Sequence, residues 1–164
     1  MRVVADLHIH SRYSRATSLN MNIPEIVQFS KIKGLNLVGT GDFTHPRWLG
    51  EIKDSLEEVG ENGLYRRRES LNSPVSFILS AEICTVFEFE NKPRKIHHVI
   101  LTPNVDLVEQ LNDRLRGRGD LDVDGRPTLK MTAPELVDEV IAVSPDNLIF
   151  PAHAWTPWYS LFGA

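Results

Sequence analysis

Strand-like apolar runs alternate with helix-forming segments along most of this chain, and this alternation constrains the fold more than any other feature. Runs that read as strands occur at 2–9, 35–38, 75–83 and 148–151. Helices are predicted at 22–34, after Pro46, and at about 104–116 and 132–143. A strand followed by a helix and another strand is the pattern of an α/β protein, so we expect a mostly parallel sheet with helices packed outside it.

The middle of the chain departs from this alternation. Residues 60–74 and 117–127 read as irregular segments, whereas residues 84–101 alternate apolar and polar side chains around a turn at 90–93. Such alternation about a turn predicts a β-hairpin.

Bulk composition bounds the class of protein. The chain has 164 residues, 41% of them hydrophobic, with a net charge of -4, which predicts one globular domain over 1–164. Neither a signal peptide nor a membrane span is evident, and Cys84 is the single cysteine, so a reducing cytoplasm is expected. The negative net charge argues against a protein that binds nucleic acid over its whole surface, but it allows a local basic face.

Polar side chains collect where the predicted strands end. His8 and His10 finish the first strand, and side chains two apart on a strand point to the same face. Further candidates at strand ends are Asp42, His45, Glu82 and His153. Because chemistry in α/β folds collects at the carboxyl ends of strands, these residues predict a metal site.

The predicted hairpin adds a candidate ligand. A turn near residues 90–91 brings Glu82 roughly opposite His98, which would leave His97 on the other face. We therefore expect His98 rather than His97 to be a ligand. Imidazoles with a carboxylate favour zinc, manganese or iron over calcium, and paired metals are typical of phosphoester hydrolysis.

Five ordered motifs resemble those of the PHP (polymerase and histidinol phosphatase) superfamily: DLHIHS at 6–11, GTGDFTHP at 39–46, SAEI at 80–83, HHVIL at 97–101 and PAHAW at 151–155. The resemblance implies a distorted seven-stranded β/α barrel that holds up to three metal ions and hydrolyses phosphoesters. Within the superfamily, the chain looks most like the N-terminal part of the endonuclease Q family, which cleaves DNA beside deaminated bases and abasic sites.

Carried over by position, the resemblance implies roles for the candidate residues. His8 and His10 would hold a first ion, Glu82 would bridge two ions, and His98 and His153 would complete a second site, with Zn²⁺ or Mn²⁺ as the cofactor. Asp42 or His45 would serve a third ion or the hydrogen bonds around it, so Asp42 and Glu82 are the catalytic candidates.

The family's last motif, an Asp-x-His, is expected beyond His153, and only about five of seven barrel strands are identified. We therefore expect an incomplete barrel lacking its C-terminal strands. A missing C-terminal half or a second copy would close it, and the chain alone would bind metal weakly and be nearly inactive.

Charged and aromatic residues outside the motifs are candidates for contact with damaged DNA: Tyr65, Arg66, Arg67, Arg68 and Trp155. They favour a DNA-repair endonuclease over two alternatives. One alternative is a small-molecule phosphatase of the histidinol-phosphatase type, and the other is an inactive truncated scaffold.

Overall fold

The computed structural model describes residues 2–163. The α-helices are α1 (Ile23–Lys33), α2 (Pro46–Ser55), α3 (Val105–Leu115) and α4 (Ala133–Val143). The strands are β1 (Ala5–Asp6), β2 (Leu37–Gly39), β3 (Leu56–Glu58), β4 (Tyr65–Arg67), β5 (Ser76–Phe89), β6 (Lys92–Thr102), β7 (Thr128–Lys130) and β8 (Leu148–Pro151). Among these residues, no helix combines the length and apolar character needed to cross a bilayer.

The strands form one mixed, curled sheet that resembles half of a barrel. β1, β2 and β5 lie side by side and parallel, and β7 pairs in parallel with the far part of β5. β3 and β4 form an antiparallel extension, while β6 and β8 add antiparallel strands on the other side. The α/β class is as predicted, but the expectation of a mostly parallel sheet is wrong.

The β5–β6 hairpin supplies the longest strands of the sheet. Its turn consists of Glu90 and Asn91, both at positive φ of 52° and 57°, as a two-residue type I′ turn requires. The register places Glu82 opposite Val99, and His98 opposite Ile83. The predicted pairing of Glu82 with His98 is therefore wrong by one residue, and a shift of one residue moves a side chain to the other face.

The helices begin where the sequence places their caps. The Asn22 side chain accepts a hydrogen bond from the Glu25 backbone N–H, and Thr132 forms a complete capping box with Glu135. These side chains satisfy backbone donors that would otherwise lack partners in the first turn. The predicted extents of α1 and α4 are therefore confirmed to within a residue or two.

The main core lies between the four helices and the sheet, and its α2 side fixes the loop after β2. Trp48 of α2 is fully buried, and its indole N–H donates to the Gly41 carbonyl at 2.8 Å. Gly41 has a φ of +66°, and a Cβ there would fall on the carbonyl oxygen of Ile9. The loop after β2 thus packs directly against the segment between His8 and His10.

A pair of glycine substitutions tests this packing. We expect Gly41→Ala to lower the free energy of unfolding by at least about 2 kcal/mol, because it adds left-handed backbone strain and a collision. Gly50→Ala is the matched control, since Gly50 lies within α2 and a Cβ added there would meet open space, and it should stabilise by about 0.5–1 kcal/mol. Urea unfolding measures both changes, and a Gly41→Ala protein as stable as wild type would contradict the packing.

Candidate metal centre

Four imidazoles surround the carboxylate of Glu82, which is buried in the middle of β5. His8 Nε2, His97 Nδ1 and His153 Nε2 lie 3.2, 2.9 and 3.2 Å from Glu82 Oε1. His10 Nε2 lies 3.2 Å from Glu82 Oε2. Both carboxylate oxygens therefore face imidazole nitrogens.

Each histidine reaches Glu82 from a different part of the sheet. His8 and His10 follow β1, and the two-residue spacing sends both side chains to one side. His97 lies on β6, diagonally across from Glu82. His153 follows β8, which is held beside β6 by a hydrogen bond from the Ala152 N–H to the His97 carbonyl.

The imidazoles and carboxylates of the cluster shift one another's pKa values. Burial by itself would raise the pKa of Glu82, but hydrogen bonds from His10, His8 and His97 hold it well below its usual range. Burial would lower the pKa of His10, whereas hydrogen bonds to Asp42 and Glu82 raise it to about 9. The cluster thus keeps an ionised carboxylate under a shell of nitrogen ligands.

Asp42 orients His10 from behind. His10 Nδ1 lies 3.0 Å from Asp42 Oδ1, and the other oxygen accepts hydrogen bonds from the Ser11 N–H, the Ser11 hydroxyl and the Ser14 hydroxyl at 2.6, 2.7 and 2.9 Å. Gly125 permits this arrangement, because a Cβ there would meet the Asp42 carboxylate. Asp42 is fully buried, and both its oxygens have partners within the protein.

The donor atoms form two groups that could each hold a metal ion. Ligand atoms of His8, His10 and Glu82 form one group, those of Glu82, His97 and His153 form another, and within each group the atoms lie within 4.8 Å of one another. Three protein ligands with an open position are typical of catalytic zinc sites. The shared carboxylate and the nitrogen ligands suit zinc or manganese better than calcium.

Two predicted ligands lie elsewhere. His98 is on the opposite face of β6, where its Nε2 lies 3.0 Å from the Thr85 hydroxyl, and burial lowers its pKa to about 4. His45 occupies the N-cap position of α2 without a side-chain capping hydrogen bond, and it stacks on Tyr13 with ring centroids 4.4 Å apart. Burial lowers the pKa of His45 as well, and neither histidine belongs to the two ligand groups in the described part of the chain.

The residues predicted to contact nucleic acid do not lie together on one exposed surface. Tyr65 is buried in the core, where its hydroxyl donates to the Pro103 carbonyl at 3.3 Å, so its ring does not lie at the surface for base stacking. Arg66 bonds to Ser76 and to the Leu71 carbonyl. Arg67 pairs with Glu69, and Arg68 pairs with Glu57 at 3.2 Å. Trp155 is exposed and stacks on Phe162.

Comparison with known proteins adds a fold relationship. The crystal structure of the lesion-specific endonuclease PfuEndoQ from Pyrococcus furiosus superposes with a TM-score of 0.82 and 35% sequence identity, over 97% of this chain and 36% of that chain. An endonuclease Q complexed with a 27-mer duplex that has an abasic lesion at the active site gives a TM-score of 0.80 and 35% identity, over 96% of this chain and 36% of that chain. The chain therefore has an endonuclease Q-like fold and spans about a third of those proteins.

Sequence comparison gives one further relative. An uncharacterized protein of Methanocaldococcus jannaschii is 41% identical over 153 residues, which are 93% of this chain and 16% of the relative. No protein-family profile matches the sequence.

Proposed function

We propose that this chain is the metal-dependent hydrolytic part of a DNA-repair endonuclease of the PHP type, which cleaves a phosphodiester beside a deaminated base or an abasic site. The observation that carries the proposal is Glu82, a buried carboxylate contacted by four imidazoles at 2.9–3.2 Å. The fold around Glu82 supports phosphodiester hydrolysis as the reaction, because the chain has the fold of a lesion-specific endonuclease at 35% identity.

The roles of the residues follow from their contacts. Zinc or manganese ions held by the two ligand groups would lower the pKa of a bound water and offset negative charge on the phosphate. Glu82 joins the two groups, and Asp42 fixes the orientation of His10, which makes Asp42 a positioning residue. The side chains of His8 and His153 are 33% and 31% exposed, so a phosphate group can approach the cluster from solvent.

DNA is the proposed substrate rather than a small phosphate ester. Support comes from the endonuclease Q complex with an abasic duplex and from Trp155, whose side chain is exposed two residues after His153. An exposed indole offers a stacking surface for an unpaired base, and such stacking is tolerant of base identity.

A cleavage assay tests the proposal. The full chain is incubated with Mn²⁺ or Zn²⁺ and end-labelled duplexes that contain one deoxyinosine, one abasic site or no lesion, beside p-nitrophenyl phosphate. We expect weak nicking at the lesion that EDTA abolishes and that exceeds nicking of the intact duplex. Hydrolysis of p-nitrophenyl phosphate without nicking would instead favour a small-molecule phosphatase, and metal-independent nicking would contradict the role of the cluster.

A further inference from the structure

A cavity of about 390 Å³ opens beside the metal cluster, and its lining is basic. His97 forms the boundary between this cavity and the cluster, and Arg15, Lys95, Arg126 and Asp124 supply the charged groups of its wall. Three cations thus face one carboxylate in a protein whose net charge is -4. The local charge is opposite in sign to that of the whole chain.

The sheet places these cations next to the cluster. Lys95 and His97 are two residues apart on β6, so their side chains lie on the same face. Arg126 comes just before β7, whose Thr128 is paired with Cys84 of β5. Its guanidinium Nη1 lies 4.0 Å from Glu82 Oε2, which brings a fixed cation to the edge of the ligand groups.

The single acid of the cavity wall is already engaged. Asp124 Oδ2 lies 3.5 Å from Arg15 Nε, and Asp124 Oδ1 accepts a hydrogen bond from the Arg126 backbone N–H at 3.0 Å. Lys95 makes no ion pair with any residue in 2–163, and its ammonium lies 5.7 Å from the centre of the Tyr159 ring. The cavity therefore has cations without enough acids to neutralise them.

Three other arginines of the chain differ in this respect. Arg68 pairs with Glu57 at 3.2 Å, Arg114 with Glu139 at 2.6 Å and Arg116 with Asp113 at 3.6 Å. The guanidinium of Arg126, by contrast, donates to the Arg15 carbonyl and approaches a carboxylate only at 4.0 Å. Arg126 and Lys95 are thus better placed to bind an external anion than Arg67 and Arg68, which pair with Glu69 and Glu57.

We propose that Arg126 and Lys95, with Arg15 at the rim, form a phosphate-binding subsite that holds a backbone phosphate of the nucleic-acid strand next to the metal cluster. The guanidinium of Arg126 offers paired N–H donors that match two phosphate oxygens, and Lys95 adds a point charge. The identity of the substrate rests on the proposed function. In this arrangement, Arg126 and Lys95 bind one phosphate of the strand while the cluster holds the reacting phosphate.

The test measures binding without cleavage. Anisotropy of a fluorescein-labelled duplex with a tetrahydrofuran abasic site is followed in EDTA over a range of salt concentrations, and inorganic phosphate is titrated calorimetrically in parallel. We expect Arg126→Ala and Lys95→Ala each to weaken duplex binding on the order of tenfold. Each should also reduce the magnitude of the salt slope by about 0.9, because one phosphate contact is lost.

Matched variants separate the subsite from a general charge effect. Arg116→Ala removes one cation from an exposed pair with Asp113 and should leave both affinity and slope unchanged. Arg126→Lys keeps the charge but loses the paired donors, so it should restore the slope and only part of the affinity. Equal behaviour of Arg126→Ala, Lys95→Ala and Arg116→Ala would overturn the subsite.

The phosphate titration distinguishes failure of the subsite from failure of the proposed function. Phosphate binding that depends on Arg126, without any duplex binding, would support the subsite and overturn DNA as its ligand. Duplex binding that is indifferent to Arg126 and Lys95 would overturn the subsite alone. Wild-type protein that binds neither ligand would overturn both.

Discussion

Glu82→Gln is expected to lower the affinity for Mn²⁺ or Zn²⁺ by more than about 100-fold and to abolish nicking of damaged duplexes. Loss of a partner that merely orients a ligand costs about 10–100-fold in metal affinity, and Glu82 is the carboxylate shared by both ligand groups. An amide carries no charge and has only one oxygen to offer, so neither group keeps its anionic ligand. Calorimetry with elemental analysis gives the affinity and the number of ions bound.

The control lies on the same strand. Glu88→Gln makes the same chemical change at an exposed position near the end of β5, and it should leave metal binding unchanged. Glu82→Asp retains the charge with a shorter side chain, so an intermediate affinity is expected. Circular dichroism of each variant checks that the fold is kept. Metal binding by folded Glu82→Gln as tight as that of wild type would show that the ions bind elsewhere.

The helices were predictable because their signals are local. Asn22 and Thr132 each stand three residues before a glutamate at a helix start, and the structure uses both as caps. The strands β3, β4 and β7 were missed because each has three residues, most of them polar, whereas the similarly short β1 and β2 lie within apolar runs. The position of β7 also depends on pairing with the distant β5, which no local signal encodes.

The residues of the candidate site likewise fall into those that the sequence predicts and those that it does not. His8, His10 and His153 follow from the rule that strand ends share one edge, whereas Glu82 lies in the middle of β5, and the structure brings all four together. Arg126 was missed because it lies in an irregular loop that meets the cluster only through the pairing of β7 with β5. His45 was predicted as a ligand from its place after β2, but the turn after Gly41 directs its ring toward Tyr13.

His97 and His98 provide the sharpest test of the hairpin register, because adjacent strand residues point to opposite faces. The two-residue turn at Glu90 and Asn91 puts His97, not His98, on the face of Glu82. We expect His97→Ala to weaken metal binding by more than about 100-fold at one of the two sites, since it removes a direct ligand. Titration should then show one ion where wild type is expected to bind two.

His98→Ala is the matched control at the neighbouring position. It removes a buried imidazole that contacts the Thr85 hydroxyl at 3.0 Å, and the lost hydrogen bond together with the space left in the core costs at least about 1 kcal/mol of stability. We therefore expect His98→Ala to lower the unfolding midpoint while metal stoichiometry stays at the wild-type value. The reverse result, with metal lost from His98→Ala and kept in His97→Ala, would mean that the hairpin pairs in a register shifted by one residue. Glu82 would then have a different set of neighbours.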